Sequence, residues 1–360
     1  MNKNIKKSII IVSLGCAITA LSCAFLVTNQ KKSMAQEVNN ICEDIVEDVE
    51  SMRVVSSEIA MSSNPYDYIK NCDAYDDLVA LGKDAIPEIG RQIVNGSNGL
   101  NEYMLASAIE EISGRDVYEE TGIDWSTGEE FVTAWNKMIK QSNKNTRGPE
   151  DEFQLISAEE QIQEDLELQK DKEKNKHINY SFFYYRTPCR DCKVSFDERF
   201  LDNYGNRRQN GIIYCDYHKE KVAPDAELVE TGYTDNNCLS YALGNVRRCT
   251  WMWPKSWSYT PSPEVVKEYF QERNYITEDF NETNMAFYKE KKAIFVYAEK
   301  VNNVYQVVHF GRTDYINGEF PEDFDVVSKW GLYAVYKTKT VNNSFTKQSG
   351  YGECVFVMYK

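Results

Sequence analysis

The sequence predicts an α+β protein in which a helical region precedes an antiparallel sheet. Residues 36–145 carry apolar side chains at helical spacing, as between Leu100 and Ile112, and Gly114 follows as a helix stop. From residue 178 onward, aromatic and β-branched residues alternate with turn residues, as strands require. Because helices and strands occupy separate parts of the chain, the strands are expected to pair antiparallel.

Composition divides the chain into five segments, which we treat as predicted domains. The first is apolar, the second is helical and resembles HEAT hairpins, and the third is a charged linker. A cysteine-containing module and a final mixed domain follow. The predicted bounds are 1–35, 36–145, 146–177, 178–236 and 237–360. The helical domain carries no catalytic pattern, and its predicted role is packing or binding of a protein partner.

The final domain has a clear order of elements. One helix is predicted after the segment around residue 238, and four strands follow it. Asn302-Asn303 marks a reversal between the first two of these strands. The predicted helix is Glu264–Arg273, and the predicted strands are Ala293–Ala298, Val304–Arg312, Val326–Trp330 and Glu353–Tyr359.

The N-terminal segment predicts a membrane location. Ser8 to Gln30 contains no charge and is long enough to span a bilayer, and three lysines precede it. This pattern favours a retained single-pass anchor with the remainder of the chain outside the cell membrane. Cleavage after Ala35, within a small-x-small pattern, would instead release a secreted protein. Leu21 to Cys23 resembles a lipoprotein box only loosely.

Charge argues against nucleic acid as a partner. The formal net charge is −15, and such a surface repels phosphate backbones. The chain has neither a glycine-rich phosphate loop nor a His-Glu-x-x-His sequence, and it has only three histidines. Each histidine therefore carries weight in any functional assignment.

Cys238 and His309 form the leading candidate site. Cys238 opens an apolar run compatible with a helix, and His309 ends the strand-like run that starts at Val304. A cysteine at a helix N-terminus has its thiolate stabilised by unpaired N–H groups and the helix dipole. The base must come from another element, because a helix cannot fold back within a few residues.

The motifs around these residues resemble an uncharacterised bacterial family similar to the NlpC/P60-like and CHAP-like branch of the papain fold. The resemblance runs from about residue 237 to the C-terminus with the motifs in the same order. The motifs are Asn237–Gly244, Trp251–Pro254, His309–Arg312, Ser328–Gly331 and Tyr351–Gly352.

This resemblance implies a cysteine peptidase or amidase with Cys238 as nucleophile and His309 as general base and acid. Ser328 would orient the imidazole, and the Cys238 N–H would stabilise the oxyanion. The implied substrate is an amide bond in a cell-wall peptide of the peptidoglycan type or in a protein. The alternative is a catalytically inactive papain-like fold that serves as a membrane-bound binding, sensory or structural protein.

Two matched pairs predict a zinc site in segment 178–236. Cys189 and Cys192 form one pair, and Cys215 and His218 form the other. Two such pairs flanking a loop have the spacing of a zinc ribbon or treble clef. Four protein ligands would close the site, so the zinc would be structural. The alternative is a disulfide, with His218 at the surface.

Overall fold

A computed structural model describes most of the helical region and most of the sheet region. The described residues are 33–52, 57–95, 99–145, 155, 225–230, 236–245, 250–257, 260–313, 324–342 and 351–360, together with six short strands between 185 and 214.

Eight helices form the described N-terminal part. The longest are α6 and α8, and Gly114 ends α6 in a left-handed conformation, with a φ of 71°. Gly114 therefore acts as the predicted helix stop. The bounds are 33–52 (α1), Ser57–Met61 (α2), Pro65–Ile69 (α3), Asp73–Ala80 (α4), Ile86–Asn95 (α5), Leu100–Ser113 (α6), Val117–Thr121 (α7) and Gly128–Asn145 (α8).

Six two- or three-residue strands follow in the segment predicted to hold zinc. They pair as three antiparallel ribbons, in which β1 pairs with β3, β2 with β6 and β4 with β5. Their bounds are Tyr185–Arg186 (β1), Lys193–Val194 (β2), Phe196–Asp197 (β3), Arg199–Leu201 (β4), Arg207–Gln209 (β5) and Ile213–Tyr214 (β6).

A seven-stranded sheet forms the C-terminal part, with the strand order β7-β12-β11-β10-β9-β13-β8. Every pair in it is antiparallel, which confirms the predicted α+β class. The strands are Ala226–Glu230 (β7), Ile276–Asp279 (β8), Ile294–Val301 (β9), Val304–Arg312 (β10), Val326–Lys329 (β11), Val335–Thr338 (β12) and Glu353–Tyr359 (β13). The helices are Cys238–Ala242 (α9), Pro263–Gln271 (α10) and Met285–Glu290 (α11).

The helical part and the sheet share one hydrophobic core. Buried side chains from α1 to β13 belong to a single cluster that includes Trp125, Trp251 and Phe310. The segment after α9 joins the two parts, because Lys255 N donates to Trp125 O and Lys255 Nζ pairs with Glu110 at 2.6 Å. Burying one large apolar side chain contributes roughly 1.5–3 kcal/mol, so this shared core strongly stabilises the packing of the helical part against the sheet.

No helix among the described residues is both long and apolar enough to cross a membrane. The predicted anchor, Ser8 to Gln30, lies outside the described residues.

Candidate active site

Helix α9 begins at Cys238 because Asn237 caps it. Asn237 has extended backbone angles, with φ −98° and ψ 174°, and its Oδ1 accepts from Ser240 N at 3.0 Å. Its Nδ2 donates to Met252 O at 2.7 Å, which ties the cap to the tryptophan motif. A side-chain cap of this kind contributes about 1 kcal/mol. Cys238 is thereby held at the first helical position, as predicted from the sequence.

The Cys238 side chain is fully buried, with 0% of its surface exposed. Burial raises the pKa of the Cys238 thiol to about 11, although the Ser63 hydroxyl, the Phe310 N–H and the charge of Lys329 each lower it. At pH 7 a thiol with this pKa is ionised in on the order of one molecule in 10,000. The resting side chain is therefore a neutral thiol.

The His309 imidazole is also enclosed, with 1% of its surface exposed. His309 lies opposite Tyr297 in the β9–β10 ladder, and its ring stacks on Tyr351 with centroids 3.9 Å apart. Its Nδ1 is buried and has no hydrogen-bond partner among the described residues. Burial lowers the pKa of His309 to about 3, so the ring is neutral at pH 7.

Helix α9, which begins at Cys238, packs against β10, which contains His309. The N–H of Phe310, which directly follows His309, hydrogen-bonds the Cys238 sulfur. Within the described part of the chain, no hydrogen bond joins the thiol to the imidazole. The two side chains are thus both buried and both neutral, on two elements that pack against each other.

The Ser328–Gly331 motif folds back on itself. Ser328 Oγ accepts a hydrogen bond from Trp330 Nε1 at 2.9 Å. The Lys329 ammonium is fully buried and donates to the carbonyl oxygens of Gly331 and Tyr333. The hydroxyl expected to orient His309 is therefore hydrogen-bonded to the Trp330 indole instead. Lys329 stabilises the turn after β11 and places a positive charge near the Cys238 sulfur.

The Tyr351-Gly352 motif positions the ring that covers His309. Gly352 has a φ of 70°, and a Cβ built on it would lie 1.9 Å from Ala298 O. Only glycine allows this close approach of the chain to β9. Tyr351 is held over His309, and its hydroxyl donates to Met61 O at 2.6 Å.

Residues 60–64, which we call the docking segment, lie directly against the thiol site. Ser63 Oγ accepts from Cys238 N at 3.5 Å, and Ser63 O accepts from Trp251 Nε1 at 3.1 Å. Asn237 Nδ2 also donates to Ser63 O, at 3.2 Å. This role of residues 60–64 was not predicted from the sequence. The pair Asn64-Pro65 predicts only a helix start, and a contact with α9 has no local signal.

A cleft of about 290 Å³ opens beside Tyr351, between the helical part and the sheet. Asn64 and Asp67 line it on the helical side, and Glu299 and Val307 line it on the sheet side. Its walls are therefore partly polar and partly apolar, and it borders the ring that shields His309.

The predicted zinc ligands Cys189, Cys192, Cys215 and His218 lie outside the described residues. Among the residues that are described, no group of three or more His, Cys, Asp or Glu side chains forms a metal site. In the β2–β6 ribbon, Lys193 pairs with Tyr214. These residues adjoin Cys192 and Cys215 in the sequence.

Residues 229–359 match one protein family. It is described as a domain of unknown function (DUF7689), and the matched range contains Cys238, His309 and Ser328. No curated protein and no solved structure matches the chain. The docking segment lies outside the matched range, so the groups that cover the thiol come from two different parts of the chain.

Proposed function

We propose that the C-terminal domain is a papain-like thiol fold that hydrolyses or transfers amide bonds, with Cys238 as nucleophile and His309 as base. One observation carries the proposal. Cys238 is the first residue of a capped helix, and its sulfur contacts the N–H of Phe310, next to His309. A helix N-terminus and a nearby N–H both favour the thiolate that attacks a carbonyl.

In this mechanism His309 takes the thiol proton, and the Cys238 sulfur forms a bond to the carbonyl carbon of the substrate. The electron pair of the carbonyl moves to oxygen, where the Cys238 N–H stabilises it. Collapse of this intermediate breaks the C–N bond, and His309 returns the proton to the leaving amine. Water or an acceptor amine then releases the acyl group from sulfur, again with His309 as base.

A binding protein without catalysis is the second candidate, and the enclosure of Cys238 favours it. An active thiol normally sits in a partly exposed, electropositive setting, whereas this one is sealed and has a raised pKa. The two candidates differ in whether the reactivity of Cys238 depends on His309.

Labelling with a peptide that carries a thiol-reactive electrophile tests the proposal on the full chain. We expect His309→Gln to slow labelling of Cys238 by at least about 100-fold, because general-base assistance contributes on that order. Cys238→Ala should abolish the signal, and Cys354→Ala, at another buried free cysteine, should leave it unchanged. Mass spectrometry of tryptic peptides assigns each labelled site.

Equal labelling of wild type and His309→Gln would show that Cys238 behaves as an ordinary thiol. Absence of labelling at Cys238, even in sub-denaturing urea, would support the binding role. Peptide turnover that requires both residues would exclude that role.

The zinc site remains a proposal that rests on the spacing of Cys189, Cys192, Cys215 and His218. The pairing of Lys193 with Tyr214 supports it, because these residues adjoin one cysteine of each pair. We expect about one zinc per chain by elemental analysis, as a single tetrahedral site requires. Replacement of Cys192 by serine should lower the zinc content sharply. Disulfide-linked cysteines in a metal-free protein would contradict the proposal.

We also propose that the domain acts outside the cell membrane. The support is the uncharged run from Ser8 to Gln30 with lysines before it. Cell-wall peptides and external proteins would then be the accessible substrates.

A further inference from the structure

The docking segment is held by hydrogen-bond donors of the C-terminal domain that donate to main-chain carbonyl oxygens of the segment. Leu332 N donates to Ala60 O at 2.7 Å, and the Tyr351 hydroxyl donates to Met61 O at 2.6 Å. Further along, Ser63 O accepts from Trp251 and Asn237. Three carbonyls within four residues are therefore bound by the C-terminal domain. Those of Ala60 and Met61 lie at the C-terminal end of α2, where helix carbonyls need partners outside the helix, and that of Ser63 follows in the turn before α3.

Close approach of the segment to the groove is built into the turn after β11. Gly331 has a φ of 50°, and a Cβ built on it would lie 2.3 Å from Ala60 O and 2.5 Å from the carbonyl carbon of Met61. No side chain fits between this turn and the segment. The absence of a Cβ at Gly331 therefore lets a peptide chain lie directly on the turn.

The segment also occupies the position that the mechanism assigns to the substrate oxygen. Cys238 N is the expected oxyanion donor, and in the structure it donates to Ser63 Oγ at 3.5 Å. Ser63 presents a hydroxyl at this position, whereas its carbonyl oxygen accepts from Trp251 and Asn237. The peptide carbonyl of Ser63 is therefore not bound as a scissile carbonyl would be, which explains how the segment can lie there uncut.

We infer that this groove is the substrate groove of the thiol site, that it binds a polypeptide through main-chain carbonyls, and that residues 60–64, which run from the end of α2 into the turn before α3, are its intramolecular occupant. The catalytic part of this inference rests on the proposed function, whereas the peptide-binding part rests on the contacts alone. The helical part of the chain thus keeps the thiol covered until a competing peptide or a partner displaces the segment.

Access to Cys238 is tested by the rate of alkylation with iodoacetamide, a small reagent that needs no general base. The variants are Ser63→Ala, Tyr351→Phe and the double variant, which remove side-chain hydroxyl groups that tie the segment to the groove. We expect each to raise the rate about fivefold and the double variant about 25-fold, as loss of one and two hydrogen bonds predicts. Tyr305→Phe is the matched control, because its hydroxyl bonds Glu353 at 2.8 Å and does not touch the segment.

Alkylation of Cys72 and Cys354 in the same samples reports general loosening of the fold. A rise confined to Cys238 supports the inference, and a synthetic peptide of residues 57–68 should reverse it in the double variant. Unchanged rates at Cys238, a parallel rise at all three cysteines, or failure of the peptide to protect would each overturn it. Because alkylation does not require His309, the inference can hold even if the peptide electrophile shows no His309 dependence.

Discussion

Replacement of Gly352 by alanine is expected to lower the free energy of unfolding by about 2–5 kcal/mol. The left-handed conformation costs a residue with a Cβ about 1–2 kcal/mol, and an overpacked contact adds about 1–3 kcal/mol. The contact is severe here, because the new Cβ would lie 1.9 Å from Ala298 O, a backbone atom of β9 that cannot rotate away. The measurement is urea unfolding followed by circular dichroism.

Gly114→Ala is the matched control. Gly114 has nearly the same φ, 71°, but a Cβ built there meets nothing within 4 Å. This variant should lose only about 1–2 kcal/mol of the free energy of unfolding, which is the cost of the left-handed backbone conformation for a residue with a Cβ. If both variants lose the same free energy of unfolding, the close approach of Gly352 to Ala298 in β9 does not contribute to stability. The position of Tyr351 would then need another explanation.

Acid is expected to destabilise the protein through His309. The pKa of His309 is lowered to about 3 in the folded state, from an ordinary value of 6.5, because the ring is buried. The unfolded chain therefore binds more protons between these two values, and stability falls as pH drops below 6.5. The loss from this residue should reach about 2 kcal/mol between pH 7.5 and pH 5.

Comparison with His309→Gln isolates this contribution. Glu110 and Glu130 have raised pKa values, chiefly through burial, and they titrate in both proteins. The difference between the two proteins in how the free energy of unfolding depends on pH therefore gives the contribution of His309. We expect wild type to lose stability relative to the variant from pH 7.5 to pH 5. Parallel pH profiles would mean that the imidazole is solvated and that Tyr351 does not seal it.

Several elements were predictable because their signals are local. Strands β10 and β13 have the bounds that alternation predicted, and β9 extends three residues past the predicted end to Val301. Asn302 and Asn303 both adopt positive φ, 50° and 66°, as expected for a tight reversal. Strands β7, β8 and β12 were missed, since runs of four or five residues with mixed polarity give weak patterns.

The site was predictable only in part. The order of a polar cap, a cysteine and an apolar run places Cys238 at a helix start, and the structure has it there. The burial of Cys238 was not predictable, because Ser63 lies 175 positions away in the sequence. Neither the residues around Ser63 nor those around Cys238 have a pattern that predicts contact with the other segment. The use of Ser328 Oγ by Trp330 depends likewise on side-chain geometry, which residue type and spacing do not determine.

The place of β13 in the sheet has a consequence for biogenesis. β13 lies between β9 and β8, although both are translated well before it. Until residues 353–359 have been synthesised, β8 and β9 each have an unpaired edge. The two strands do not pair with each other in the sheet, because β13 lies between them. Such edges recruit foreign strands, so the nascent chain is expected to need a holdase, or export in an unfolded state, during this interval. His309 receives its cover from Tyr351 at the same late stage, so the thiol site matures last.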